Sequence, residues 1–344
     1  MYLQVKATGA EQAALGNPAA CGESAERVRV GFIVGPTGTG KSRLAMQIAD
    51  DFGGAIEIVN ADSRQFYRGM DIGTAKPSPE DRRRVPHHLI DVRDPDEPLD
   101  VAEFAKLARE AISDIAARGR FPMIVGGSGL YLRVIRGGIF QGPRASIEIR
   151  RRLGAVADER GVNFLHAQLA EVDPAGANRI GVNDLYRIVR ALEVFELTGE
   201  TISAHQGRHR FGDADHGGYE ALTVGIEIER KKLYATIDER FDAMIAAGFV
   251  EEVRGLMAQG YSPERPPLST IGYKQVAACL RGEMTLVDAI ALAKRDSRRL
   301  AKRQLTWFRR DTDIVWLDPE RGALDAFALF QKFFEARERE GNLK

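Results

Sequence analysis

Short apolar runs alternate with helical patterns in the first part of the chain. The run Val28–Val34 is mostly apolar and ends at Gly35, which predicts a buried parallel strand. Apolar positions then recur at helical spacing, at Leu44, Ala45, Ile48 and Phe52. Two more apolar runs, Ala55–Val59 and Pro122–Val125, predict further strands. Strands that alternate with helices indicate a parallel sheet with helices on both faces.

Capping residues mark the starts of two helices. Asp100 precedes Glu103 by the spacing of a capping box, and apolar residues follow at helical spacing. Thr285 and Asp288 stand in the same relation nearer the C-terminus. We therefore expect one helix to begin at Asp100 and another at about Thr285.

The middle of the chain lacks strand patterns. Leu and Ala recur in Ala145–Arg160 and in Asn183–Thr198, which predicts the helices of an all-α insertion. The segment His205–Tyr219 holds three histidines and four glycines, and it predicts a loop. A strand pattern returns at Leu222–Ile228, and residues 231–310 are mainly helical in pattern.

Composition excludes several classes of protein. The chain has 344 residues, 44% hydrophobic and 28% charged, so it is neither disordered throughout nor fibrous, and its length suits about two domains. No run of 18 apolar residues occurs, so we expect no membrane span. Two cysteines, Cys21 and Cys279, are too few for a disulfide framework and suit a reducing compartment. The 49 basic and 49 acidic side chains cancel, so nucleic-acid binding would require local clustering of charge.

The first predicted strand leads into a complete P-loop motif. It reads Gly35-Pro36-Thr37-Gly38-Thr39-Gly40-Lys41-Ser42 and stands between a predicted strand and a predicted helix. The glycines let successive backbone N–H groups point at a phosphate, Lys41 adds a full charge, and the Ser42 hydroxyl can hold Mg²⁺. The motif predicts binding of a polyphosphate without saying which one.

The residues that a nucleotide hydrolase adds to this loop are missing. Such an enzyme needs an Asp at the end of a neighbouring strand to hold Mg²⁺. Here the candidate strand ends at Val125-Gly126-Gly127, and no Asn-Lys-x-Asp signature of guanine binding occurs. Hydrolysis of ATP or GTP is therefore disfavoured, although a diphosphate still fits the loop.

Asp62 is a second candidate for the site. It follows the second predicted strand, and the carboxyl ends of neighbouring parallel strands share the edge of the sheet where ligands bind. A carboxylate beside the P-loop could accept a proton from a nucleophile or hold Mg²⁺. The alternative is that Asp62 only caps a helix that begins at Ser63.

Together these patterns predict an α/β fold. We expect a P-loop NTPase-like parallel sheet flanked by helices, with an inserted all-α subdomain and a helical C-terminal part. Residues 1–28 would form a disordered extension, since they contain no apolar run and no helical period. Residues 29–140 and 220–344 would form the core, and residues 141–219 the inserted subdomain.

Motifs along nearly the whole chain resemble those of the tRNA dimethylallyltransferases, also called tRNA isopentenyltransferases. The segment Tyr67–Pro77, which reads YRGMDIGTAKP, is highly specific to that family. The other matching segments are the P-loop with its Gly-Pro-Thr start, Asp62–Gln65, Pro86–Asp91, Val125–Tyr131, Asn183–Glu193, Gly272–Gln275 and Lys302–Phe308. Ser42 and Ser128 stand where many members have Thr, which preserves a hydroxyl, and the extension before Arg29 has no counterpart in the family pattern.

The resemblance implies a reaction and the residues that catalyse it. Such enzymes transfer a dimethylallyl group from its diphosphate to the exocyclic amine of the adenine 3′ of the anticodon, and they release pyrophosphate. Asp62 is implied as the general base, and Lys41, Arg240 and Thr39 as residues that act on the pyrophosphate. The loop Gly35–Ser42 would then hold dimethylallyl diphosphate rather than ATP, with Mg²⁺ as the cofactor on Ser42.

The resemblance also implies a tRNA partner, bound through its anticodon stem-loop, and assigns tRNA binding to the insertion. The positions that match tRNA-contacting regions are Asp62, Ser63, Arg64, Gln65, Ser128, Tyr186, Arg187, Arg190, Thr270, Lys274, Arg298 and Lys302. We further expect a cytoplasmic enzyme that acts as a monomer and does not associate with membranes.

A basic stretch near the C-terminus supports binding of RNA. Lys294–Arg310 contains eight basic side chains and one acidic one. Helical spacing places four of the basic residues on one face, namely Arg295, Arg298, Arg299 and Lys302. With Trp307 and Phe308 nearby, this face would follow the phosphates of an RNA. The alternative is a solvated charged face with Trp307 in the core.

Other functions stay open from the sequence. A related enzyme could prenylate a free adenine nucleotide, but such a substrate needs neither the insertion nor the basic helix. A small-molecule kinase would use the same loop with ATP. An RNA-binding module regulated by a nucleotide, without chemistry, is the remaining alternative.

Overall fold

The strands form one parallel sheet. The computed structural model describes residues 27–137, 142–208, 218–318 and 322–341. Within these ranges six strands lie in the order β3-β2-β4-β1-β5-β6, and every neighbouring pair is parallel. They are β1 (Val28–Val34), β2 (Ile56–Asn60), β3 (His87–His88), β4 (Phe121–Gly126), β5 (Tyr219–Ile226) and β6 (Ile314–Leu317). The loop after β1 is therefore at the centre of the carboxyl edge of the sheet.

Helices cover both faces of the sheet. They are α1 (Lys41–Asp51), α2 (Pro79–Arg84), α3 (Val101–Ala117), α4 (Gly129–Gly137), α5 (Ile147–Arg160), α6 (Val162–Val172), α7 (Pro174–Arg179), α8 (Leu185–Thr198), α9 (Ile202–Arg208), α10 (Arg230–Ala246), α11 (Phe249–Ala258), α12 (Tyr273–Leu280), α13 (Leu286–Phe308) and α14 (Gly322–Gly341). Val30, Phe32 and Val34 share a buried cluster with α3, α4 and α11–α13, whereas Ile33 shares one with α1 and α14. This alternation confirms the predicted α/β class, with one layer of helices on each face.

The inserted helices enclose a core of their own. It is formed by residues of α5–α8, among them Leu153, Leu165, Leu169, Ile188 and Leu192. The fully buried carboxylate of Glu193 accepts hydrogen bonds from Arg150 Nε at 2.8 Å, Arg190 Nη1 at 2.6 Å and the Ser146 N–H at 2.7 Å. These contacts tie α5 to α8, so the insertion has the independent core that a subdomain needs.

Both predicted helix starts are confirmed by their caps. The Asp100 side chain accepts the Glu103 N–H at 2.8 Å, and the Thr285 hydroxyl accepts the Asp288 N–H at 3.1 Å. In the described ranges no helix has the length and apolar character needed to cross a membrane.

Three local predictions differ from the structure. No loop begins at His205, because α9 continues to Arg208. The rest of the expected loop, residues 209–217, lies outside the described ranges, as do residues 1–26 of the expected extension. β5 begins at Tyr219 instead of Leu222 and ends at Ile226 instead of Ile228. No pattern predicted β6, since four residues are too few for strand periodicity to emerge.

An ion cluster forms where β2 meets β3 and the end of α3. Glu57, only 2% exposed, receives hydrogen bonds from Arg118 Nη2 at 2.8 Å and pairs with His88 Nε2 at 2.7 Å. Arg120 Nη1 lies 3.1 Å from the same carboxylate. The hydrogen bonds from Arg118 lower the pKa of Glu57 to about 2, against the opposing effect of burial. Glu57 is therefore charged in the folded protein at neutral pH.

We expect Glu57→Gln to destabilise the fold by about 2 kcal/mol at pH 7, since it removes the buried negative charge that Arg118, Arg120 and His88 share. Because the pKa of Glu57 is lowered, its contribution is full above pH 4.5 and is lost as the pH falls towards about 2. Urea unfolding of the variant and the wild type at pH 7 and pH 3 measures this. Asp114→Asn, which removes an exposed partner of Arg118, is the control and should cost far less. If the difference in the free energy of unfolding between wild type and Glu57→Gln is as large at pH 3 as at pH 7, the stabilisation does not come from the charge of Glu57.

Candidate active site

The P-loop curves tightly between β1 and α1. Gly35, Gly38 and Gly40 have φ angles of 141°, 86° and 84°, a backbone region that favours glycine. Gly38 also has no room for a side chain, because a Cβ there would lie 2.9 Å from Cγ1 of Ile237 on α10. The motif glycines therefore permit both the curvature of the loop and the close packing of α10 against it.

Lys41 at the start of α1 is desolvated. Its Nζ donates to the Pro36 carbonyl at 2.7 Å, and the Thr39 hydroxyl donates to the same oxygen at 3.0 Å. Burial lowers the pKa of Lys41 to about 8, an effect that the charge of Asp62 opposes and that of Arg240 strengthens. Ser42 follows on an exposed position of α1. A desolvated cation at the N-terminus of a helix, where the first N–H groups have no acceptor within the helix, is a site for an anion.

Asp62 stands just beyond the end of β2. Its N–H donates to Oδ1 of Asn60 at 2.9 Å, and its own Oδ1 accepts the Arg64 N–H at 2.9 Å. Asn60 Nδ2 in turn donates to the Leu89 carbonyl at 2.9 Å. No helix begins at Ser63, so the alternative of a helix cap is wrong; Asp62 instead starts a turn, which uses one of its carboxylate oxygens. Among the described residues the other oxygen, Oδ2, has no hydrogen-bond partner.

Arg240 reaches the same site from α10. Its Nη2 lies 3.5 Å from the Thr74 carbonyl. Burial lowers the pKa of Arg240, and the charge of Asp62 opposes this lowering. Lys41, Arg240 and Asp62 therefore interact electrostatically, two cations with one carboxylate. The predicted catalytic residues come together in space, although they are far apart in the sequence.

The strand next to the P-loop ends without a carboxylate for a steric reason. A Cβ on Gly126 would lie 2.4 Å from the Ala61 carbonyl oxygen. On Gly127 it would lie 2.8 Å from Nε2 of Gln304 and 3.1 Å from the Gly35 carbonyl oxygen. No side chain fits on Gly126, because the atoms in the way belong to the Ala61 backbone, whereas Gly127 is crowded mainly by the flexible end of Gln304. The absence of a metal-binding Asp at Gly126 therefore follows from the packing at this edge.

Gln304 on α13 is a site residue that the sequence analysis did not single out. Its Oε1 accepts the Thr37 N–H of the P-loop at 3.0 Å, and its Nε2 donates to the Gly127 carbonyl at 2.8 Å. The side chain thereby joins the P-loop, the end of β4 and the basic helix. Only its place in the motif Lys302–Phe308 could have indicated this role.

A groove of about 490 Å³ runs along the end of α13. It is lined by Arg299, Lys302, Arg303, Thr306, Trp307 and Arg310. The Arg133 guanidinium lies over the Trp307 ring, 5.0 Å from its centroid. Trp307 is half-buried, so it is neither a core residue nor fully exposed on the basic face. Cations with an aromatic edge in one groove form a surface suited to RNA.

The predicted tRNA-contacting residues differ in their exposure and in their contacts. The exposed ones are Tyr186, Arg187, Lys274 and Lys302, and the partly buried ones beside the site are Ser63, Arg64 and Ser128. The remaining side chains mostly make internal contacts. Gln65 is buried and donates to the Thr74 and Ala75 carbonyls, Arg190 binds Glu193, and Arg298 Nη1 binds Asp238 at 2.6 Å. The Thr270 hydroxyl is buried without a hydrogen-bond partner.

Arg298 shows how the basic face divides. Arg295 and Arg299 are exposed, whereas Arg298 turns towards Asp238 on α10. Lys294 on the same side binds Asp242 at 2.6 Å. The ion pairs of Arg298 and Lys294 therefore fasten α13 to the helix that carries Arg240.

Sequence relatives match most of the length of this chain. Residues 65–311 match the family model described as IPP transferase. A tRNA dimethylallyltransferase from Geobacter metallireducens is 50% identical over 293 residues, 85% of this chain and 93% of the relative. Another, from Geobacter sulfurreducens, is 47% identical over 312 residues, 91% of this chain and 99% of the relative.

Solved structures agree with these relatives. The tRNA isopentenylpyrophosphate transferase from Bacillus halodurans is 36% identical, with a TM-score of 0.66, and the match covers 91% of this chain and 99% of that one. A eukaryotic dimethylallyltransferase acting on tRNA is 26% identical, with a TM-score of 0.73, and the match covers 90% of this chain and 80% of that one. The resemblance in the sequence motifs thus extends to the whole fold, and the chain belongs to the tRNA dimethylallyltransferase family of IPP transferases.

Proposed function

We propose that this transferase moves a dimethylallyl group from dimethylallyl diphosphate to the exocyclic amine of the adenine that follows the anticodon of a tRNA. The observation that carries the proposal is the grouping of Asp62 with Lys41 and Arg240 at the P-loop. One end of this site is cationic and the other presents a carboxylate. A reaction that expels an anion and also loses a proton needs both ends.

The cationic end suits the leaving group. As the allylic C–O bond breaks, its electron pair moves to the pyrophosphate, whose growing charge the P-loop N–H groups, Lys41 and Arg240 would stabilise. Burial disfavours the charged forms of both side chains, so an anion that enters the site recovers the lost stabilisation.

The carboxylate end suits the acceptor. As the new N–C bond forms, the adenine amine becomes positively charged, and its proton would pass to the unpartnered Oδ2 of Asp62. The adenine must leave its stack to reach this point, which costs less from an anticodon loop than from a duplex. The turn around Asn60 holds the carboxylate in place for the transfer.

Mg²⁺ fits the donor atoms at this site as a partner of the diphosphate. The described residues contain no group of three or more His, Cys, Asp or Glu side chains that could hold a metal. Mg²⁺ commonly binds through one or two protein oxygens together with substrate phosphates and water. The exposed Ser42 hydroxyl would supply such an oxygen, and the ion would neutralise charge on the pyrophosphate.

The proposal is tested with purified protein and radiolabelled dimethylallyl diphosphate, offered unmodified tRNA or AMP, with labelled ATP in parallel. We expect label in tRNA only, and release of one pyrophosphate per transfer. Label in AMP would favour prenylation of a free nucleotide. Tight ATP binding with turnover would favour a kinase, and tRNA binding with no transfer would leave only an RNA-binding module.

The groove on α13 is proposed to bind the phosphates of the tRNA. We expect Arg299→Ala with Lys302→Ala to weaken tRNA binding and to reduce the log–log salt slope by about one for each lost phosphate contact. Fluorescence anisotropy across a salt series measures the slope. Lys332→Ala removes an exposed lysine from α14, on the opposite face of the sheet, and should leave it unchanged. If the double variant has the same salt slope as wild type, this surface does not bind RNA phosphates and is only a solvated charged face.

We further propose that the enzyme acts as a monomer in the cytoplasm. Its own chain supplies both the cationic and the carboxylate end of the site, so the reaction requires no second copy. Cys279 is a free thiol, as suits a reducing compartment. Sedimentation at the concentration used in the transfer assay tests the oligomeric state.

A further inference from the structure

The motif Tyr67–Pro77 is held by one carboxylate from a distant helix. Oε2 of Glu252 on α11 accepts the N–H groups of Asp71 at 3.0 Å and Ile72 at 2.6 Å. Oε1 of the same side chain accepts the Gly73 N–H at 3.1 Å. Three successive N–H groups that converge in this way form a nest for an anion, and here the protein fills it with its own side chain.

A tyrosine at the start of α12 also binds the carboxylate that fills the nest. The Tyr273 hydroxyl donates to Glu252 Oε1 at 2.5 Å, and burial together with this carboxylate raises the pKa of the tyrosine well above its ordinary value. Gly73 leaves no space there, since a Cβ would lie 2.2 Å from Cε2 of Phe249 and 2.7 Å from Cε2 of Tyr273. The position of the Asp71–Gly73 backbone is therefore set by α11 and α12 together.

The next residue of the motif faces the active site. The Thr74 carbonyl accepts from Gln65 Nε2 at 3.2 Å and lies 3.5 Å from Arg240 Nη2. The Thr74 hydroxyl is turned back to the Met70 carbonyl at 2.7 Å, so the carbonyl is the group that this residue offers to the site. A shift of the nest would move this acceptor and the guanidinium that lies against it.

We propose that Glu252 is a positioning residue for the diphosphate site. It holds the Asp71–Gly73 backbone, the adjoining Thr74 carbonyl orients Arg240, and Arg240 contacts the pyrophosphate. This inference rests on the proposed function. It also gives the family-specific motif a physical role, which is to carry the acceptor that aligns one of the two cations.

The test is a double-mutant cycle on binding of inorganic pyrophosphate, measured by calorimetry on the full chain. We expect Glu252→Ala to weaken binding about tenfold, and Arg240→Ala to weaken it at least as much. The double variant should bind no more weakly than Arg240→Ala alone, because both changes remove the same contact. A further tenfold loss in the double variant would show that Glu252 does not act through Arg240.

A second arm separates positioning from general stability. In Glu252→Ala the three N–H groups are free, so millimolar acetate should restore part of the pyrophosphate affinity, whereas it should not do so in Arg240→Ala. Glu251→Ala, an exposed neighbour on α11, should behave as wild type with and without acetate. If acetate does not restore the pyrophosphate affinity of Glu252→Ala, the role proposed for the three N–H groups is contradicted. Should Glu252→Ala fail to fold, Glu252→Gln, which keeps one acceptor oxygen, replaces it in the cycle with a smaller expected loss.

The two proposals fail in different ways. A wild type that binds no pyrophosphate overturns the proposed function and this inference with it. A wild type that binds pyrophosphate, together with a Glu252→Ala protein that binds it equally well, overturns the inference alone.

Discussion

Asp62→Asn is expected to slow dimethylallyl transfer by roughly 10²–10⁴-fold, the range of a lost general base. The amide keeps an oxygen that can accept the Arg64 N–H, so the turn at the end of β2 should survive. Affinities for the donor and for tRNA should change little, because the proton moves only in the transition state. Single-turnover rates with saturating tRNA measure the effect.

The same experiment separates the other roles considered for Asp62. If the carboxylate chiefly holds Mg²⁺, excess metal will partly restore the rate of Asp62→Asn. A variant within a few-fold of wild type at every Mg²⁺ concentration would leave Asp62 as a turn residue only. Asp51→Asn, the same change at an exposed carboxylate at the end of α1, is the matched control and should transfer at the wild-type rate.

Lys41→Ala is expected to reduce transfer by about 10²–10³-fold, as for the loss of one group that stabilises a developing anion. Binding of tRNA should be largely intact, because Lys41 lies at the P-loop and is desolvated there. Arg43→Ala, which removes an exposed cation from the same helix, should have a small effect. A loss of tRNA affinity comparable to the loss of activity would contradict separate donor and RNA sites.

The lowered pKa of Lys41 adds a pH dependence to this prediction. With a pKa of about 8, Lys41 is charged below that pH and becomes neutral above it. Pyrophosphate affinity of the wild type should therefore fall more steeply above pH 8 than that of Lys41→Ala, which has no such group. Parallel pH profiles for both proteins would contradict the assignment of Lys41 to the anion.

Several positions inferred from motif resemblance have internal partners in the folded protein. Gln65 donates to the Thr74 carbonyl, Arg190 Nη2 donates to the Pro143 carbonyl, and Arg298 pairs with Asp238 on α10. A change at Arg298 would thus disturb the pairing of α13 with α10, which carries Arg240. For this reason Arg299 and Lys302 are the better probes of the RNA surface.

The sequence by itself determined those features that depend on local order. The P-loop needs its glycines and lysine at fixed spacing, and the caps at Asp100 and Thr285 act within one turn, so motif and periodicity predicted them correctly. The apolar runs predicted β1, β2 and β4 to within a few residues, because a buried parallel strand must be apolar on both faces.

Only the tertiary structure decided which distant groups meet. Gln304 reaches the P-loop from α13, and Glu252 reaches the Tyr67–Pro77 segment from α11, through contacts that span most of the chain. Such pairs cannot be predicted from the hydrophobic pattern of the sequence, since Gln304 and Glu252 are each an ordinary polar residue on a helix. The same holds for Gly126, where the close approach of the Ala61 backbone excludes a metal-binding carboxylate. Local patterns are set by neighbours in the sequence, whereas these choices are set by the shape of the assembled sheet and helices.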